Sequence, residues 1–277
     1  MPGTFPFLIL WNPAVWAGAA AMVFLLRRYV AAGSRAAWAF WAGMGALVAA
    51  FGTPIEVFSQ HSLTAAMSQR LLTTGVAVPF LMVALAAPFW RAILRPIQGL
   101  FAILTRPLIA LALFNAAYVV TAVPGVWDWL SAHPPAFWGQ NVVFLVLAAL
   151  FWWPVLSPLR ESPRLHPLLS LGYLFVGGIA LTPLFVFWSL VSHAPAYGVD
   201  AAGAHLLGLS ALSDERVGGL VMKAGALVSY GVAFVAIFWR WWEEGQGRGG
   251  PRADSAPRDP VDLAEVRRRR TVKRESS

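Results

Sequence analysis

The chain of 277 residues contains no cysteine. That absence excludes disulfides, thiolate metal sites and CxxC redox chemistry, so any soft-metal site must draw on His or Met. Charge is also scarce. Asp, Glu, Lys and Arg make up 12% of the residues, about half the share typical of water-soluble domains, and such a chain cannot cover a folded surface with polar groups. No internal repeat stands out over long range. What fills the chain instead is apolar: 58% of residues are hydrophobic and 13% aromatic, the composition of an integral membrane protein.

The formal net charge of +8 raises the question of nucleic acid, and its placement answers it. Residues 1–242 carry 12 basic and 6 acidic side chains, and residues 243–277 carry 9 and 7. Most of the surplus therefore lies in short loops between apolar segments, where it reports topology and not a nucleic-acid face.

A spanning helix needs about 20 apolar residues, because the hydrocarbon core is roughly 30 Å thick and each residue rises about 1.5 Å. Seven segments qualify: 7–26, 37–57, 71–90, 107–123, 142–158, 168–191 and 217–239. The stretch 95–106 reads as an amphipathic piece at the interface. With this count, Arg27, Arg28, Arg35, Arg91, Arg95, Arg106, Arg160, Arg164 and Arg240 fall on one side, and only Arg70, Arg216 and Lys223 on the other. Short cytoplasmic loops collect Lys and Arg. The expectation is an all-α, polytopic transmembrane bundle of seven helices with its N-terminus outside and its C-terminus in the cytoplasm. The opening MPGTFPFLIL lacks a basic n-region and a small-residue cleavage site, so the first helix is expected to be a permanent anchor. Trp90, Trp152, Trp153, Trp239, Trp241 and Trp242 at inner boundaries, and Trp127, Trp129 and Trp138 at an outer one, read as interfacial belts.

Two regions follow: a transmembrane domain at 1–242 and a tail at 243–277. The tail is polar and rich in Gly, Pro and Arg, a composition expected to stay disordered. Its run Arg267–Arg270, with Lys273 and Arg274, enforces topology or docks on anionic lipid headgroups.

Candidate chemistry is thin. His61, His133, His193 and His205 fall in outer loops and His166 in an inner one, with no pair at three- or four-residue spacing to present two ligands on one helix face. No histidine lies in mid-span as a bis-His haem would need. Glu56, Arg70, Arg106, Asp214, Arg216 and Lys223 read as lying near span ends, leaving no evident ion path. No nucleophile, base and metal constellation marks an enzyme. The densest polar cluster is SDERVGG at 213–219. There Ser213 or Asp214 reads as the N-cap of the last helix, and Gly218 and Gly219 as a point of close helix approach. Alternatively, Asp214 and Glu215 help form an outer-face site.

FWWP (Phe151, Trp152, Trp153, Pro154), SDERVGG before the last helix and seven N-out spans together resemble the CtaG-type cytochrome c oxidase assembly factor family, over about residues 35–242. The resemblance implies a seven-helix protein of the bacterial plasma membrane that helps build the oxidase, through copper reaching its catalytic subunit. Oxidase subunits and membrane lipids are then its partners. The family's Asp-Gln-x-x-Gly-Gly falls on Asp214, Gly218 and Gly219, with Glu215 in place of Gln. Its His-Met-x-Gln-His falls on Ala66 to Arg70, keeping Met67 and Gln69 and losing both histidines. Its Trp-His-x-Pro falls on Thr121 to Pro124 with Ala122 for His, and a further His corresponds to Asn141. Two expectations follow. Either His61, His133, His193 and His205, with Met67, form a substitute outer copper site, or the chain is a scaffold without metal, which is the preferred reading. A transporter of a small solute or metal ion is the alternative from another class.

Overall fold

In a nonpolar medium each backbone N–H and C=O must find its partner within the segment, so apolar runs fold as helices. The computed structural model describes residues 13–159, 161–162, 164–198 and 208–249. Its helices are α1 Pro13–Leu26, α2 Ser34–Phe51 and α3 Pro54–Ser59, then α4 Leu63–Ala84 and α5 Ala87–Leu104. These are followed by α6 Pro107–Thr121, α7 Pro124–Ala132, α8 Pro134–Leu156, α9 Pro167–Val191 and α10 Ala211–Gly249. Pro107, Pro124, Pro134 and Pro167 each open a helix, where a missing N–H costs nothing. No strand occurs among the described residues beyond an isolated antiparallel bridge between Val30 and Leu85.

Helices α4, α8, α9 and α10 are long and apolar enough to cross a membrane, and α5 with α6, which meet at 90°, supply a fifth crossing if they form one broken span. The chain divides into two compact units, Met1–Phe238, which holds the bundle, and Trp239–Ser277, whose described part is the C-terminal end of α10.

Several boundaries differ from the sequence reading. The third apolar segment begins at Leu63 rather than residue 71, because Ser68, Gln69 and Arg70 look too polar for a span yet continue the helix. The interfacial piece expected at 95–106 is the second half of α5. The last helix begins at Ala211, six residues early, with Ser210 Oγ accepting from Ser213 N at 3.2 Å. It also runs past residue 242 to Gly249, and the remainder of the tail, with its expected disorder and basic run, lies outside the described residues.

The aromatic belt is corrected in part. Trp129, Trp239 and Trp242 are exposed, but Trp127, Trp152 and Trp153 are fully buried. Phe151 stacks on Phe114 at 4.8 Å and tilts against Tyr173 and Tyr230 at 5.1 and 5.3 Å. Trp153 meets Phe101 edge-on at 4.7 Å, and its Nε1 donates to Ser162 Oγ at 2.9 Å. Belt and core both favour large rings near helix ends, and an indole whose N–H finds a protein acceptor has no need of the headgroup region.

Candidate functional site

The site is built around α4. Its N-terminal turn starts at Ser62, whose Oγ accepts from Ala65 N at 3.2 Å as a helix cap must. The same hydroxyl donates to Asp214 Oδ1 at 2.7 Å, and Leu63 N donates to Asp214 Oδ2 at 2.6 Å. Thr64 Oγ1 donates to the Asp214 carbonyl at 2.9 Å. Asp214 thus caps α4 from the first turn of α10, about 150 positions away, instead of capping its own helix, whose cap is Ser210. Gly218 makes the approach possible: a Cβ there would lie 2.8 Å from Leu63 Cγ and 2.9 Å from its carbonyl carbon. Gly219 faces the other way, where a Cβ would lie 2.6 Å from Ser189 Oγ of α9.

Beside it, Glu215 Oε1 accepts from Ala196 N at 2.7 Å and Tyr197 N at 3.1 Å, while its buried Oε2 has no hydrogen-bond partner. Tyr197 is fixed in turn: its hydroxyl accepts from Trp188 Nε1 at 2.7 Å and donates to Ala122 O at 2.8 Å. The SDERVGG segment therefore clamps α4, the 196–197 loop and the end of α6 together.

Nearly two turns further along α4, Gln69 Nε2 donates to Ala50 O at 3.0 Å, and Asn141 Nδ2 reaches toward Gln69 Oε1 at 3.5 Å. Arg70 is 3% exposed. Its Nη1 donates to Thr121 Oγ1 at 3.2 Å, and its Nη2 has no partner. The guanidinium carbon lies 4.3 Å from the Phe144 ring centre, 5.5 Å from Tyr118 and 5.7 Å from Trp127, so aromatic faces supply much of what stabilises the cation. Arg70 was read as a span-end residue; it sits in the interior, eight residues into α4. Immediately after it, α4 widens into a π-helical segment, Leu71–Ala77. Two of its carbonyls are met from neighbouring helices, Thr74 O by Trp152 Nε1 at 2.8 Å and Gly75 O by Ser229 Oγ. Such widened turns are common at functional sites.

Of the sequence-predicted residues, Asp214 and Gly218 meet the start of α4, Gln69 meets Ala50 and Asn141 further along it, and FWWP braces the π segment through Trp152. The metal candidates lie differently. Met67 is buried beside a cavity of about 20 Å³ that Met222, Tyr118 and Tyr230 also line. His61 is half-exposed, His193 is exposed, and His133 is exposed with its ring stacked on Trp129 and Nδ1 at 2.7 Å from Trp129 O. His205 lies outside the described residues. Among the described residues, no three or more His, Asp or Glu lie together in a group able to hold a metal. Outside the spans, burial pushes the Glu56 carboxyl up, opposed by a hydrogen bond from Gln60.

Sequence reasoning missed Ser62, Tyr197 and the aromatic cage of Arg70. Ser62 had a legible signal, a serine just ahead of a helix-forming run. The cage had none, since its rings come from three separate helices.

The described residues are helical, with several apolar helices of a multi-pass membrane protein held together by a buried polar clamp, and that defines the class. The family model described as cytochrome c oxidase caa3 assembly factor matches residues 19–244, and the chain belongs to that family. No curated protein and no solved structure matches it.

Copper is the metal the family resemblance implies, and the residues at the corresponding positions do not fit it. Ala66, Arg70, Ala122 and Asn141 offer no imidazole. The Arg70 guanidinium, set among Phe144, Tyr118 and Trp127, has only donors and offers a metal no lone pair.

Proposed function

We propose that this chain serves the maturation of the catalytic subunit of cytochrome c oxidase as a membrane-embedded scaffold that holds no copper of its own. Family membership supports the assembly role. The observation carrying the metal-free part is Arg70: a built-in cation, caged by aromatic rings and hydrogen-bonded to Thr121, stands at a position where the family pattern has a histidine. The clamp formed by Asp214, Glu215 and Gly218 then keeps α4, α6 and α10 in a fixed arrangement without help from a metal.

We place the protein in the bacterial plasma membrane with seven spans, N-terminus outside and C-terminus in the cytoplasm. Counting α1, α2, α4, α6, α8, α9 and α10 as the crossings, with α5 lying along the inner face, gives seven, and the basic residues then gather on the cytoplasmic side. Exposed Phe24, Leu25, Trp38 and Trp41 on α1 and α2 are consistent with lipid contact.

The test is oxidase activity per assembled haem in membranes of a deletion strain grown with and without added copper. Activity lost at both copper levels is the expected result. Activity restored by copper overturns the metal-free reading and turns attention to His61, His133, His193, His205 and Met67, whereas unchanged activity overturns the assembly role.

A further inference from the structure

Lys223 lies 12 residues beyond the start of α10 at Ala211 and 16 before exposed Trp239, within the stretch of that helix that is apolar enough to cross a membrane. The sequence places it six residues into an apolar segment that starts at 217, and the helix itself starts six residues earlier. A cation within a spanning segment is costly and marks function by default. Its ammonium donates to Gly178 O and to Thr182 Oγ1, both at 2.8 Å. These acceptors flank the break in α9 at Leu181, where the last carbonyls of the first half of the helix lack ladder partners. Two of the three N–H donors are thereby used, and both acceptors are neutral. Among the described residues Lys223 forms no ion pair; that contact is between Arg91 and Glu161.

The ammonium borders a groove between α9 and α10 of about 280 Å³, lined by Leu174, Phe175, Gly178, Leu227, Tyr230 and Gly231 among others. Phe175 and Leu227 are 65% and 71% exposed, so the groove opens outward on the bundle. A Cβ built on Gly231 meets nothing within 4 Å, and glycines in such a groove let a neighbouring backbone come close. Lys223 is the one charged residue of the lining. Three occupants can be weighed on that charge. Lipid chains offer no acceptor. A second copy packed symmetrically would bring a second ammonium to the same depth. A different helix carrying a carboxylate satisfies both the free N–H and the charge.

We propose that this groove docks a transmembrane helix of a partner subunit bearing an Asp or Glu opposite Lys223. Identifying that partner as the oxidase catalytic subunit rests on the assembly reading above; the groove and its charge requirement do not.

The experiment places a photo-crosslinking amino acid at Leu227 or Phe175, with Leu108 on α6 as an exposed control, in the full chain in membranes that contain an affinity-tagged catalytic subunit. Crosslinking to that subunit is expected from Leu227 and Phe175 and not from Leu108, in a peptide containing Asp or Glu. It should fall at least tenfold in Lys223→Met and persist in Lys223→Arg, with the chain present at equal level in both. A crosslink indifferent to Lys223→Met, adducts to lipid alone, or only a Leu227 homodimer would overturn the proposal. If deletion abolishes oxidase activity while the groove gives no crosslink, the groove fails and the assembly role stands. If deletion leaves activity intact, the assembly role fails, and the groove stands only on a Leu227 crosslink to a membrane helix whose carboxylate matches Lys223 and which is lost in Lys223→Met.

Discussion

Replacing Asp214 by alanine removes the acceptor that joins α10 to the start of α4. The carboxylate is 0% exposed and takes hydrogen bonds from Ser62 Oγ at 2.7 Å and Leu63 N at 2.6 Å. Loss of a helix-capping acceptor costs about 1 kcal/mol, and a buried donor left unpaired costs about 1–3 kcal/mol. The Ser62 hydroxyl can rotate toward another acceptor and the Leu63 amide cannot, so the expected loss is about 2–4 kcal/mol, a roughly 30- to 700-fold shift in the folding equilibrium. Asp214→Asn should lose about half of this, since the amide keeps one acceptor oxygen. The assay is equilibrium unfolding of the purified protein in mixed micelles, followed by tryptophan fluorescence, because buried Trp127, Trp152 and Trp188 report directly on the bundle. A loss below about 0.5 kcal/mol for Asp214→Ala, within the range of an ordinary surface substitution, would refute the claim that this residue ties the two helices.

Gly218→Ala should cost about 1–3 kcal/mol, since its Cβ would press on the Leu63 backbone, while Gly231→Ala, which meets open space, should hold stability or raise it by up to about 1 kcal/mol, alanine being the better helix former. Trp152→Phe loses the N–H to Thr74 O together with part of the buried ring volume; an expected loss of about 2–4 kcal/mol, accompanied by faster amide exchange in the π segment, checks whether that side chain holds the segment. Burial raises the Glu56 carboxyl above its unfolded value, so the stability linked to it is fully present below the unfolded value and is lost as pH rises through the raised one. Glu56→Gln should flatten that part of the stability-versus-pH curve, and an unchanged curve would count against it.

The sequence alone carried the class, because hydropathy over about 20 residues measures the free energy of leaving water. It located most helices within a few residues, and FWWP and SDERVGG carried the family. Hydropathy does not say whether a side chain leaves water for lipid or for protein, and so Trp127, Trp152 and Trp153 read as belt residues when they are core. It also rejects polar residues that the interior pairs, which hid the first turns of α4, with Gln69 and Arg70.

Only the tertiary structure decided which end meets which. Asp214 looked like a local cap because capping signals are read along the chain, yet Gly218 brings α10 so close to Leu63 that the nearest unsatisfied N–H belongs to α4. The cage of Arg70 draws rings from α6, α7 and α8, and the exposure of Lys223 to an open groove depends on the break in α9. Each is a contact between residues far apart in sequence, fixed by packing geometry that no local pattern of residues encodes.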